Sequence, residues 1–111
     1  MTTDFEMFSG DSKNLVVTVK DKSEAAVDLT GASISWGLAR SEYASADITK
    51  SIGSGVTLTN TLNGEFEITL DPTDTSGLVG SFYHEAQLIE ASGDVSTVLS
   101  GKVIITKDLI E

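Results

Sequence analysis

The chain has 111 residues, 40% apolar and 22% charged, and sets 17 Asp and Glu against seven Lys and Arg for a net charge of −10. That length suits one domain, and the apolar content is that of a folded chain rather than a disordered one. The absence of cysteine excludes disulfide scaffolds and thiolate chemistry, a single histidine excludes polyhistidine metal sites, and the charge repels phosphate backbones and anionic lipid.

Neither nucleic acid nor membrane is therefore an expected partner. The start, Met1-Thr2-Thr3-Asp4-Phe5-Glu6, lacks a basic region followed by an apolar one, and no apolar stretch approaches the ~18–20 residues that cross a bilayer. The expectation is one domain over residues 1–111, made in the cytosol and used without removal of a leader.

Along the chain, the first ten residues carry Phe5, Met7 and Phe8, and read either as an apolar arm for a partner or as the domain's own edge strand. Phe5 and Met7 share a face, which favours the own strand. Leu15, Val17 and Val19 then alternate with Val16, Thr18 and Lys20, the period of two expected of a half-buried strand. Turn signals follow at Asp21–Glu24 and Leu29–Gly31. Ile34, Trp36 and Leu38 alternate with small and polar residues, which puts Trp36 inward rather than on the surface. Ser41–Ala46 reads as a short turn or loop.

Val56–Asn60 and Glu65–Asp71 read as a hairpin across Asn63-Gly64, with a two-residue type I′ turn. Phe66, Ile68 and Leu70 give the cleanest alternation in the chain. Pro72–Leu78 suits one helical turn, with Pro72 near its start and Gly77 ending it. Phe82–Ala91 and Val95–Lys107 form a last hairpin over Ser92-Gly93-Asp94, with Gly101 as a candidate bulge. The spacing predicts an all-β, antiparallel sandwich of seven to eight strands with one short helical turn near 72–78.

Candidates for chemistry are few. His84 is the natural acid–base suspect, but no nucleophile or acid is identifiable beside it, and its strand face is shared with Phe82, Ala86 and Leu88. Glu65 and Glu67 stand roughly 7 Å apart on one outward strand face, too open for a carboxylate pair across a cleft. Asp71 and Asp74 lack the order of a calcium loop and read instead as caps of the helical turn. Gly53-Ser54-Gly55 lacks the lysine of a phosphate loop. The basic residues are scattered. No catalytic residue, cofactor or metal is assigned, and the chain is read as a non-enzyme.

Several ordered segments carry a resemblance: Gly10-Asp11 before Leu15–Val19, then Val27-Asp28-Leu29-Thr30-Gly31-Ala32 and Trp36. Asp74–Glu85 and Gly93–Gly101 continue it. Together, from about Phe5 to Lys107, they resemble the immunoglobulin-like domains of tailed-phage and prophage virion proteins, similar to the N-terminal module of baseplate upper proteins. The resemblance implies an immunoglobulin-like sandwich acting as a structural subunit of a phage particle, in the capsid decoration, neck, tail or baseplate. Its partners would be other virion proteins, with many copies per particle, and its location the virion. Baseplate upper proteins continue into further domains and this chain stops at Glu111, so the expected role is a small accessory subunit. Phe5, Met7 and Phe8 are the candidate partner-binding residues. The alternative reading is a carbohydrate-binding, host-adhesion module using Tyr43 and Tyr83.

Overall fold

The computed structural model describes residues 3–110. Met1, Thr2 and Glu111, which belong to the arm and the single-domain span expected above, lie outside them. Eight strands follow in chain order: β1 (Phe5–Phe8), β2 (Lys13–Thr18), β3 (Ser33–Ala39), β4 (Ala46–Ile52), β5 (Gly55–Asn60), β6 (Glu65–Leu70), β7 (Gly80–Ile89) and β8 (Val95–Thr106). A one-turn helix, α1 (Pro72–Thr75), links β6 to β7. None of the described helices is long and apolar enough to cross a membrane.

Hydrogen bonding runs in the order β1-β8-β7-β3-β4-β5-β6-β2. This is not one flat sheet. Strands bury one face and expose the other, and the buried residues of both ends of the order, Phe82 and Val103 as well as Val17 and Phe66, join in one core. The ladder must therefore fold over, and it does so between β4 and β5, where pairing shrinks to Ser51↔Gly55 and Ile52↔Val56. The result is β1-β8-β7-β3-β4 facing β2-β6-β5. That strand arrangement, with a buried tryptophan on the third strand, is an immunoglobulin-like sandwich.

The alternation read from the sequence is the core. Ile34, Trp36 and Leu38 of β3, Phe66, Ile68 and Leu70 of β6, and Val103 and Ile105 of β8 are all buried. Burial of side chains of this size stabilises by roughly 1.5–3 kcal/mol each against leaving them exposed.

Three local readings change. β5 and β6 do form a hairpin, but the turn is not the two-residue type I′ expected at Asn63-Gly64. Thr61–Asn63 make a 3₁₀ turn and only Gly64 takes a left-handed φ, of 72°. The tertiary reason is that this turn carries the long β2–β3 connection: Val19 N–H donates to Gly64 O and Leu29 N–H to Thr61 O. A Cβ at Gly64 would lie 2.6 Å from the Val19 carbonyl oxygen.

Gly101 is not a bulge. It pairs in register with His84, and the extra residue falls instead at Val98, between the pairs Ala86↔Leu99 and Gln87↔Thr97. β4 is the strand that the sequence did not mark. Of its seven residues only Ile48 is buried, so it lacks the repeated apolar signal that makes a strand legible.

Candidate functional site

His84 lies in the middle of β7 with no exposed surface. Its two ring nitrogens are both engaged. Trp36 Nε1–H, from β3, donates to His84 Nδ1 at 3.0 Å, and His84 Nε2 lies 2.6 Å from the carbonyl oxygen of Thr3. An indole N–H can only donate, so Nδ1 must be the acceptor and the proton must sit on Nε2, donated to Thr3. The ring is thus neutral and of one tautomer. Burial pushes its pKa below the ordinary histidine range, against the opposing pull of the Thr3 bond and the Asp4 charge. Phe5 stands edge-on to it, 5.1 Å between ring centres at 90°.

In antibody domains the tryptophan of this strand packs against an intersheet disulfide. This chain has no cysteine, and the histidine on β7 meets the indole with a hydrogen bond instead. Such an imidazole is a structural group.

The Trp36–His84–Thr3 chain holds β1 in place. β1 runs parallel to β8, from Phe5↔Val103 to Phe8↔Thr106. Beyond its ends, Thr3 N–H donates to Ser100 O and Ser9 N–H to Thr106 O. Asp4 Oδ1 accepts the Lys102 N–H at 2.8 Å. Ser9 Oγ–H donates to Thr75 O, and Thr75 Oγ1 accepts the Gly10 N–H, each at 2.9 Å. Gly101 makes the close approach possible, since a Cβ there would overlap the Thr3 carbonyl.

The candidate partner-binding residues therefore divide. Met7 is buried and Phe5 half-buried in the domain's own sheet, as the own-strand reading expected, while Phe8 is 53% exposed. Neither Thr3, Ser9, Thr75 nor Gly101 was legible as part of this clamp. Gly101 was the nearest to a signal, a glycine amid a strand.

The acidic candidates serve local structure. Asp74 Oδ2 accepts the Asp71 N–H at 2.7 Å and pairs with Lys50 Nζ at 2.8 Å, tying α1 to β4. Partial burial works to raise the Asp74 pKa, but Lys50 and the Asp71 N–H outweigh it and hold the carboxyl below its usual range. Glu65 accepts a hydrogen bond from the Thr59 hydroxyl across the β5–β6 pair. Among the described residues, no three His, Asp or Glu side chains gather as a cation site. Gly53 and Ser54 make the turn between β4 and β5, and Gly55 opens β5.

Two surface features remain. Tyr43 is 91% exposed in the β3–β4 loop, and it lines a shallow concavity with Glu42, Tyr83, Ser100 and Lys102. Burial raises the Tyr83 pKa, with the Glu85 and Glu42 charges adding to it against a bond to Ser100. Elsewhere, Phe8 and Val79 are exposed at one end of the five-stranded sheet, where Phe8 pairs with Thr106 and Gly80, the residue after Val79, pairs with Ile105. Exposed Leu109 and Ile110 follow β8 at the same end.

By sequence, the chain matches no protein-family model and no curated protein. Among solved structures it is similar to a chain from the crystal structure of ICOS in complex with ICOS-L and an anti ICOS-L VNAR domain. The two are 14% identical with a TM-score of 0.46, the match covering 96% of this chain and 55% of that one. This chain thus spans about half the length of that one. The immunoglobulin-like assignment rests on the strand order described above.

Proposed function

We propose that this domain is a non-enzymatic structural subunit of a tailed-phage particle, in the capsid decoration, neck, tail or baseplate, that works through contacts with other virion proteins. The observation that carries the reading is the surface at the β1–β8–β7 end, where Phe8, paired with Thr106, and Val79, just before β7, remain exposed. An otherwise acidic domain that leaves apolar side chains exposed at one end has a surface suited to a protein partner. The resemblance to phage virion domains supplies the setting, and the commitment of His84 to the core removes the natural acid–base candidate from the surface.

Imaging of purified particles with a label on this protein tests the setting, and its absence from particles overturns it. Attachment through apolar contacts survives about 1 M NaCl, which screens charges within roughly 3 Å. Phe8→Asp combined with Val79→Asp abolishes attachment while the domain stays folded. Release of the unaltered protein by salt would assign the attachment to charge instead.

A second reading has its own observation. Tyr43 and Tyr83 line one concavity with Glu42 and Lys102, an arrangement of aromatic faces and polar groups that suits a sugar ring. A glycan array tests it: binding abolished by Tyr43→Ala supports a host-adhesion module, and uniform absence of binding removes it.

A further inference from the structure

We propose that His84 is an acid-sensitive latch on β1: protonation of its ring breaks the Trp36–His84–Thr3 chain and lets the N-terminal strand peel away, baring the edge of β8 while the rest of the sandwich stays folded. The argument begins with the tautomer. Neutral His84 accepts at Nδ1 and donates at Nε2. A second proton on Nδ1 would set two N–H groups against each other across the 3.0 Å now spanned by the Trp36 bond. The Thr3 bond at Nε2 survives, so relief comes only if the ring swings away from Trp36 and one of its two neighbours gives way.

Trp36 is the fixed one. It is buried in β3, which is paired on both sides, with β4 and β7. β1 is the movable one, with four paired residues on a sheet edge. The roof over the ring is also β1, through Thr3 and Phe5. Lifting it gives the imidazolium the water that a buried charge requires. β8 does not depend on β1, because it pairs with β7 along its whole length, from Gly80↔Ile105 to Ile89↔Val95.

The charges near the latch are few. Asp4, just before β1, favours the protonated ring and is itself engaged with the Lys102 N–H. Lys13 on β2 lies 5.5 Å from the Phe5 ring centre, and Arg40, following β3, stacks 4.2 Å over Phe82, the next inward residue of β7. Glu85 and Lys102 are exposed neighbours on the other face of β7 and β8. Each cation sits over an aromatic ring beside the imidazole, and Lys13 stays with β2 when Phe5 departs. The far end of the strand is held independently by Ser9 to Thr75 and Thr106. Peeling therefore runs from Thr3 towards Ser9, with Gly10, at φ 83°, as the hinge.

Hydrogen exchange of the intact chain, with the His84 ring followed in the same samples from about pH 8 to about pH 4.5, tests the latch. After correction for intrinsic exchange, protection of the Thr3 and Lys102 amides falls about tenfold per pH unit once the pH is below about 6.5, the ordinary histidine value. Ser9 and the β3–β7 ladder remain more protected than Thr3 at every pH. Gly101→Ala, which displaces Thr3 without touching the imidazole, gives low Thr3 protection at every pH and no step. His84→Gln keeps a donor for Thr3, cannot titrate, and also shows no step; should it fail to fold, the native protein and Gly101→Ala decide the matter. Constant Thr3 protection across the range overturns the proposal, whether or not the ring titrates. So does equal protection of Thr3 and the β3–β7 ladder through the range, because the histidine would then govern the whole fold rather than one strand.

Discussion

β2 and β1 occupy the two ends of the hydrogen-bonded order, and they are fixed by different chemistry. β2 is antiparallel to β6 over six pairs, from Lys13↔Leu70 to Thr18↔Glu65, and sends Val17 into the core opposite Phe66. β1 is parallel to β8 over four pairs, and much of its attachment passes through polar groups: the His84 ring, the Asp4 carboxylate, and the Ser9 and Thr75 hydroxyls. Apolar burial has no proton to lose or gain, whereas the bond that imidazole accepts at Nδ1 exists only while that nitrogen is unprotonated. Two edges of the same sandwich thus differ in what can undo them.

Substitutions separate the two edges by size of effect. Trp36→Ala has the largest: it empties the space beneath both layers and strips His84 Nδ1 of its donor, and a loss of about 3–5 kcal/mol in denaturant unfolding is expected. Phe66→Ala on the β2 side costs a similar amount by the same measurement, without any change in how stability depends on pH. Gly101→Ala comes next, at about 1–3 kcal/mol, since the new methyl group forces Thr3 away. Its cost falls on β1 alone, so limited proteolysis cuts near the N-terminus while the remaining sheet resists.

The pH response sharpens the comparison. His84 has a depressed pKa in the folded protein, so the unfolded chain binds its proton first. Stability attributable to the neutral ring is present above about pH 6.5 and falls as the pH drops below it, by up to ~1.4 kcal/mol per pH unit for one proton. Asp74 acts in a lower window. Its carboxyl is held below the usual range, so its contribution is present at neutral pH and is lost only as the pH falls through and below the ordinary value of 3.8. Melting curves at stepped pH resolve the two, and Asp74→Asn, which breaks a partly exposed ion pair, costs under about 1 kcal/mol at neutral pH. The smallest effect is expected at Tyr43. With its side chain in solvent, Tyr43→Ala shifts stability by no more than about 0.5 kcal/mol, and any larger shift would mean that the loop packs against something.

Apolar alternation along the chain sets the class of fold and most of the core. Period-two alternation at Leu15–Val19, Ile34–Leu38 and Phe66–Leu70 fixes which side chains face inward, because a one-residue slip would turn every one of them to solvent. It also placed Trp36 inside and gave Asp71 and Asp74 to a helical turn. β4 escaped notice because Lys50, at an inward-facing position, is satisfied by Asp74 from a distant segment, and a paired charge carries no apolar signal. The type of the β5–β6 turn was decided by the β2–β3 connection that docks on it. Most of all, the role of His84 was a tertiary decision. Whether a lone histidine in a strand is a reactive group or a buried link depends on what lies at its two nitrogens. Here those neighbours are Trp36, 48 positions away, and Thr3, 81 positions away, brought together only when the sheet closes.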